Sequence, residues 1–310
     1  MITLVRARRS SLDLLRALAI MQVFLYHILY RWSTFTGLAF SAFSKQWLGV
    51  NLFFILSGYL ICSSMSNSQN RIAFVQKRLK RILPAYYMTI LVIVSIYLLR
   101  VYNVDYNGWN KGNFYLSALL NVFFIPAGII DDYFYIDGVF WSLIVEIQFY
   151  IVCALMWNKK EHLKLLLLAM SIVAYAFPGL IDQFFPIARY APWFLIGVSV
   201  QKNNKIYLLI AIFLCLISFY DDILGLFFAI LNILLFLLLE KREKVMDLYL
   251  LRILAFYSYE IYLIHQTLMF ISLEYFEGIQ FIISSVLLIV IGSFILSKLS
   301  SYVLFKLRLG

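Results

Sequence analysis

Two ionisable residues, Arg16 and His27, lie eleven positions apart in the first long apolar stretch of the chain. Eleven residues of α-helix make three turns and a small remainder, so both side chains project from one face, about 16 Å apart along the axis. An ionisable residue inside a membrane span is costly and usually marks a transport pathway or a reaction centre. Because histidine titrates near neutral pH, His27 is a candidate general base or nucleophile.

Each of these two residues also has a structural interpretation. Arg16 could reach the cytoplasmic lipid headgroups as an interfacial anchor, and His27 could form a hydrogen bond between helices. The shared helix face favours the functional interpretation over the two separate structural ones.

A second basic feature, Arg78 and Arg81, lies in the sequence QKRLKRILPAYY at the start of a later apolar stretch. The three-residue spacing places both guanidinium groups on one side of a helix start. Guanidinium groups bind phosphate bidentately, which makes the pair a candidate site for a phosphorylated ligand. A basic cluster that orients the protein, or that contacts anionic lipid, is the alternative.

Two further ionisable residues lie within apolar stretches: Glu146 in FWSLIVEIQFY and His265 in YSYEIYLIHQ. Counting from the ends of those stretches places Glu146, His27 and His265 in the outer half of the hydrocarbon core. We therefore expect Glu146 to hydrogen-bond one of the two histidines and to hold it in one tautomer. A structural hydrogen bond between helices is the alternative for both residues.

The composition predicts a polytopic helical membrane protein with a single domain, residues 1–310. The chain is 64% apolar and 14% charged, with a mean hydropathy of +0.89, whereas soluble domains are nearer half apolar. The net charge of +10 is typical of loop orientation in a membrane protein, so it does not indicate a nucleic-acid partner. Three cysteines, all within apolar runs, indicate packing residues rather than a metal site.

Ten apolar windows have about the length of a membrane span. If the ambiguous window at 113–130 does not cross, most of the 26 Lys and Arg residues fall on the side that holds both termini, which predicts that this side is cytoplasmic. Residues 102–137, rich in Tyr, Asn and Asp, then form an external or re-entrant segment. We expect an all-α, multi-pass protein of the plasma (inner) membrane with about ten spans: 12–32, 47–66, 82–101, 138–157, 163–180, 187–201, 206–220, 222–240, 251–272 and 279–298.

Five motifs, in this order, resemble those of the acyltransferase-3 family of integral membrane O-acyltransferases: SLDLLRALAIMQVFLYH, GVNLFFILSGYLI, FVQKRLKRILPAYY, FWSLIVEIQFY and SYEIYLIH. They are spread over nearly the whole chain. The family's Arg-x10-His motif corresponds to Arg16 and His27, and its Arg-x-x-Arg motif to Arg78 and Arg81.

The resemblance implies the activity and its participants. It implies transfer of an acyl group, often acetyl, from cytosolic acyl-CoA to a hydroxyl of a cell-surface or lipid-linked carbohydrate, such as a lipopolysaccharide or exopolysaccharide. No metal is implied, and the expected partners are acyl-CoA, the carbohydrate and membrane lipids. His27 is implied to be catalytic and the arginine pair to bind CoA. As a mechanistic hypothesis beyond the resemblance, Arg16 would orient CoA or the developing charge, and Glu146 or His265 would orient His27.

The chain departs from the family pattern at two positions. The family often has two adjacent acids where this chain has Glu146 and Ile147, and an acid is common where Asn51 stands. Glu146 is therefore the only acid of its motif, and Asn51 is at most an accessory residue. Many relatives carry an added extracytoplasmic hydrolase-like domain, and we expect this chain to be of the stand-alone type.

A transporter of a glycan or lipid precursor is the alternative from another functional class. The buried ionisable residues would then form a polar pathway through the membrane. The sequence shows no internal repeat of the kind common in transporters, and the Arg-x-x-Arg motif is not accounted for by transport, so both observations favour the acyltransferase.

Overall fold

The computed structural model describes residues 10–36, 48–99, 113–127, 129–130, 133–177, 184–219, 221–242 and 249–309. Within these ranges the chain forms α-helices joined by short turns and contains no strand, which confirms the predicted all-α class. The helices are α1 Ser10–Thr36, α2 Leu48–Ser66, α3 Arg71–Leu99, α4 Phe114–Val122, α5 Phe140–Leu155, α6 Leu163–Ala176, α7 Ile187–Gln201, α8 Lys205–Ile217, α9 Ile223–Leu239, α10 Tyr249–Tyr275 and α11 Gly278–Leu309.

In the part of the chain that the structure describes, 4 helices are long and apolar enough to cross a bilayer, judged by length and composition. These helical segments are Ser10–Trp32, Gly49–Ser66, Arg71–Leu99 and Gly278–Phe305. Helices α5 and α6 meet the same criteria only together, and they are bent by 112° across the turn between them, so the number rises to 5 if they form one broken span. The remaining spans of the predicted ten stay a prediction.

In its described residues, the ambiguous window at 113–130 contains one helix, the short α4. Its side-chain cap is Asn113, which accepts a hydrogen bond from the backbone N–H of Leu116, and its 9 residues span only about 14 Å. That length is less than half of a hydrocarbon core of about 30 Å. The phenol groups of Tyr133 and Tyr135 then bond to the backbone of Ile125 and Ala127. These two tyrosines therefore brace the segment itself.

Helix α2 lies at the centre of the bundle, between α1 and α7. Its contact with α7 is a close backbone approach through two glycines. A Cβ atom on Gly58 would lie 2.2 Å from the carbonyl oxygen of Phe194, and one on Gly197 would lie 2.1 Å from that of Ile55. Helix α10 packs against α1 on one side and against α11 on the other. Helices α1, α2 and α10, with α3 and α5, surround the candidate site.

Candidate active site

A cavity of about 770 Å³, including part of its open mouth, lies between α1, α2, α3, α5 and α10. The polar side chains at its wall include three arginines and one glutamate from distant parts of the sequence. The structure thus brings together four of the residues that the sequence singled out: Arg16, Arg78, Arg81 and Glu146. The excess of guanidinium groups suits a polyanionic ligand.

Arg16 turns toward the interior of the protein. Its Nη1 atom donates to Oδ1 of Asp13 at 2.8 Å, and its side chain is only 14% exposed. Asp13 lies in the first turn of α1, where a negative charge also interacts favourably with the helix dipole. The structure therefore does not support the interpretation of Arg16 as an anchor in the lipid headgroups.

Arg78 and Arg81 lie on α3 and differ in their environments. Arg78 is buried, and its Nη2 atom donates to the carbonyl oxygen of Leu60 at 3.4 Å. Its Nε atom is also buried and has no hydrogen-bond partner. A buried donor without an acceptor is unfavourable, and an anionic ligand in the cavity would supply one. Arg81 is exposed at the cavity wall.

Glu146 does not bond to a histidine, and the prediction that it would is wrong. Its Oε1 atom accepts hydrogen bonds from the Ser57 hydroxyl at 3.2 Å and from the Tyr150 hydroxyl at 2.5 Å. The carboxylate is thus held on the cavity wall between α2 and the next turn of its own helix.

The error arose from where α5 begins. The sequence places the start of this span at residue 138, at the membrane surface, but Asp137 is only 1% exposed and accepts from the Thr267 hydroxyl of α10 at 2.5 Å. Ser142 meets the Tyr262 hydroxyl at 2.6 Å, so α5 and α10 run antiparallel. Glu146 is one turn beyond Ser142, and His265 is one turn beyond Tyr262 in the opposite direction. The two groups are therefore roughly 10 Å apart along the helices.

His27 and His265 face each other between α1 and α10. Their ring centroids are 5.0 Å apart, with the ring planes inclined by 56°. His265 is fully buried, and its Nδ1 atom lies 2.8 Å from the carbonyl oxygen of Tyr262 and 3.2 Å from that of Ile261. The two histidines are therefore neighbours in the structure, and their depth in the membrane stays a prediction.

Tyr262 connects the cavity with the histidine pair. It lines the cavity, it meets Ser142 through its hydroxyl, and its ring centroid is 5.9 Å from that of His265. Tyr262 therefore belongs both to the cavity wall and to the surroundings of His265.

Several residues at the site were missed by the sequence reasoning. Asp13 could have been found from its i,i+3 spacing to Arg16, and Tyr150 from its i,i+4 spacing to Glu146. Tyr262 has i,i+3 spacing to His265, but the partners of its hydroxyl, Ser142 and the carbonyl oxygen of Val139, lie outside its helix and give no such signal. Asn51 is buried, 3% exposed, and is not among the described residues that line the cavity.

The family comparison covers almost all of the chain. The Acyl_transf_3 family model, described as an acyltransferase domain, matches residues 9–305. The chain belongs to the acyltransferase-3 family. The five motifs, the arginine-lined cavity and the histidine pair all fall within the matched residues.

Among curated relatives, this family member is 28% identical over 177 residues to the peptidoglycan O-acetyltransferase OatA of Listeria monocytogenes, a match covering 50% of the chain and 26% of that relative. It is 29% identical over 163 residues to the O-acetyltransferase OatA of Staphylococcus aureus, covering 49% of the chain and 25% of the relative. The matches thus cover about a quarter of the length of these relatives. No solved structure matches the chain.

Proposed function

We propose that this acyltransferase-3 protein transfers an acetyl group from acetyl-CoA to a hydroxyl of a cell-surface carbohydrate. The observation that carries the proposal is the cavity in which Arg16, Arg78 and Arg81 meet, separated from His27 and His265 by Tyr262. The names of the two relatives support acetyl as the acyl group, and the Listeria relative supports a peptidoglycan-like acceptor.

The donor end of the site is the arginine cavity. The phosphates of CoA would bind the guanidinium groups of Arg78 and Arg81, and would supply the acceptor that the buried Nε atom of Arg78 lacks. Arg16 would orient the ligand from α1. The helix that carries Arg16 also carries His27 about 16 Å further on, so an extended thioester arm would run along α1 toward the histidine.

The chemical step uses His27 as a base. Its imidazole accepts the proton of the acceptor hydroxyl while the hydroxyl oxygen attacks the thioester carbon. The C–O bond forms, the C–S bond breaks, and the thiolate of CoA leaves and takes up the proton from the imidazolium. A two-step route through an acyl-imidazole would use the same residue as the nucleophile.

The proposal includes a membrane orientation. We place about ten spans in the plasma membrane with both termini in the cytosol, because the Lys and Arg residues of the loops are concentrated on that side. Acetyl-CoA would then enter from the cytosol and the carbohydrate from outside. Helix α4, with its 9 residues, is too short to add a span.

Substitution of Arg78 and Arg81 by alanine tests the proposed function. With purified protein in lipid nanodiscs, labelled acetyl-CoA and a peptidoglycan-derived oligosaccharide, Arg78→Ala with Arg81→Ala should raise the KM for acetyl-CoA roughly tenfold or more, because charge-assisted hydrogen bonds to phosphate are lost. The matched control is Lys77→Ala with Lys80→Ala, which removes two exposed charges of the same cluster that do not line the cavity.

The outcomes separate the alternatives. Equal KM values for both double variants would show that the arginines act only as a topology signal. Movement of a glycan across the membrane without consumption of acetyl-CoA would replace the proposed function with transport.

A further inference from the structure

The buried ring of His265 has one nitrogen that is bonded and one that is not. Its Nδ1 atom lies within hydrogen-bond distance of two backbone carbonyl oxygens, 2.8 Å from that of Tyr262 and 3.2 Å from that of Ile261. A carbonyl oxygen can only accept, so Nδ1 must carry the proton. In the neutral ring the Nε2 atom is then an acceptor.

This acceptor is buried without a partner. The Nε2 atom of His265 is shielded from solvent and no hydrogen-bond donor reaches it in the structure. A buried polar atom of this kind is unfavourable and calls for an explanation. Tyr262, whose ring is also close, directs its hydroxyl to Ser142 and the carbonyl oxygen of Val139 instead.

The ring of His27 is the group placed to supply the missing donor. The two ring centroids are 5.0 Å apart. An N–H···N hydrogen bond of roughly 2.9 Å, lengthened by the radius of each ring, corresponds to a centroid separation of about 5 Å. The two rings are therefore already at the separation that such a bond requires.

The carboxylates near the site are engaged elsewhere. Asp137 accepts from Thr267 and from the backbone N–H of Val139, and Glu146 accepts from Ser57 and Tyr150. Among the described residues, the role that an acid often plays beside a catalytic histidine thus falls to a second histidine.

We propose that His265 is a positioning residue: its Nε2 atom accepts the N–H of His27 and so leaves the other nitrogen of His27 unprotonated as the base. This inference rests on the proposed function of His27. His265 keeps its own proton on Nδ1 throughout, and the substrate proton passes only to His27 and from there to the leaving thiolate. The hydrogen bond fixes the tautomer of His27 and stabilises the imidazolium that forms during transfer.

Two substitutions of His265 distinguish this role from a structural one. In His265→Gln the side-chain oxygen can occupy the position of Nε2 and keep the acceptor. In His265→Asn the shorter amide can keep the donor to the helix carbonyls but provides no acceptor at the Nε2 position. The positioning role predicts a kcat near that of wild type for Gln and a loss on the order of 100-fold for Asn. Both variants should keep the KM for acetyl-CoA, because His265 does not line the arginine cavity.

The tautomers can be measured directly by 15N NMR of histidine-labelled protein. The chain has 3 histidines, and His162→Gln removes the one outside the site. In wild type we expect His265 with its proton on Nδ1. We expect His27 in one tautomer in wild type and in His265→Gln, and a mixture of His27 tautomers in His265→Asn.

Three outcomes would overturn the inference. These are a mixture of His27 tautomers in wild type, the same His27 spectrum in both variants, and a kcat that survives in His265→Asn but not in His265→Gln. If the Gln variant fails to fold, the wild-type spectrum still decides. A wild-type protein without acetyl-CoA-dependent activity would defeat the proposed function, and the tautomer spectra would still test the histidine pair.

Discussion

At the scale of single residues, Arg16 and Glu146 are each held in place by hydrogen-bond partners. Arg16 is held by Asp13, and Glu146 by Ser57 and Tyr150. His27 differs, because its neighbours are rings: the edge of Tyr26, with centroids 4.9 Å apart, and the ring of His265. The proposed bond to His265 occupies one ring nitrogen of His27 and leaves the other for proton transfer.

Replacement of His27 should abolish the reaction. We expect His27→Ala to reduce acetyl transfer by at least about 100-fold, since the general base is lost, while acetyl-CoA still binds the arginine cavity. The control is His162→Ala, which removes an exposed histidine of the turn before α6. Acetyl transfer is measured with labelled acetyl-CoA, and near-normal transfer by His27→Ala would refute the mechanism.

Glu146 should act on the binding of the donor. Its carboxylate shares the cavity with three guanidinium groups, so Glu146→Gln keeps an acceptor for Ser57 and Tyr150 but removes the negative charge. We expect a lower KM for acetyl-CoA, because an anionic ligand is no longer repelled, and a kcat within a few-fold of wild type. Steady-state kinetics at fixed ionic strength test this, and a large fall in kcat at unchanged KM would instead support a role of Glu146 in orienting His27.

The candidate residues could be predicted from the sequence, but their bonds could not. Buried charge is costly in an apolar chain, so Arg16, His27, Glu146 and His265 are conspicuous by type alone. Which of these side chains are in contact depends on the depth in the membrane at which each helix begins. Glu146 and His265 lie about two turns apart along the packed helices, which is enough to give Glu146 different partners.

At the scale of helices, apolar windows predict the existence of each element better than its ends. The window at 138–157 corresponds to α5, Phe140–Leu155, and that at 187–201 coincides with α7. Composition does not show that residues before α5 are already buried, because Asp137 is accommodated there by the Thr267 hydroxyl of α10 and by the backbone N–H of Val139. The bend of 112° between α5 and α6 likewise depends on packing around the turn.

The contact between α2 and α7 should tolerate little added volume. Gly197→Ala places a methyl group against the backbone of α2, where a Cβ would lie 2.1 Å from the carbonyl oxygen of Ile55. We expect a destabilisation of about 1–3 kcal/mol, as for other overpacked interiors. The control is Gly292→Ala, whose nearest neighbour is the movable tip of Leu268. Thermal unfolding in detergent compares the two, and equal stability would contradict the close approach.

At the scale of the whole molecule, orientation rests on charge rather than on packing. The described helices fit together without reference to a membrane, and only 4 or 5 spans follow from length and composition. The side on which each loop lies is instead indicated by the Lys and Arg excess, which fixes topology during insertion. Donor and acceptor can reach the histidine pair from opposite sides only if that orientation is correct.

Labelling of introduced cysteines tests this orientation. The native Cys62, Cys153 and Cys215 are all buried, so an impermeant thiol reagent should give little background. We expect cysteines replacing Asp105 and Asp132, two positions outside the described residues, both to react from outside intact cells, because the segment 102–137 should not cross the membrane.

A cysteine replacing Glu161, whose side chain is 73% exposed, should react only after the cells are opened, since Lys159, Lys160 and Lys164 place that turn in the cytosol. Protection of Asp132→Cys alone would indicate an additional span before α5. Every loop after α5 would then lie on the opposite side of the membrane, and the side from which acetyl-CoA reaches the arginine cavity would change with it.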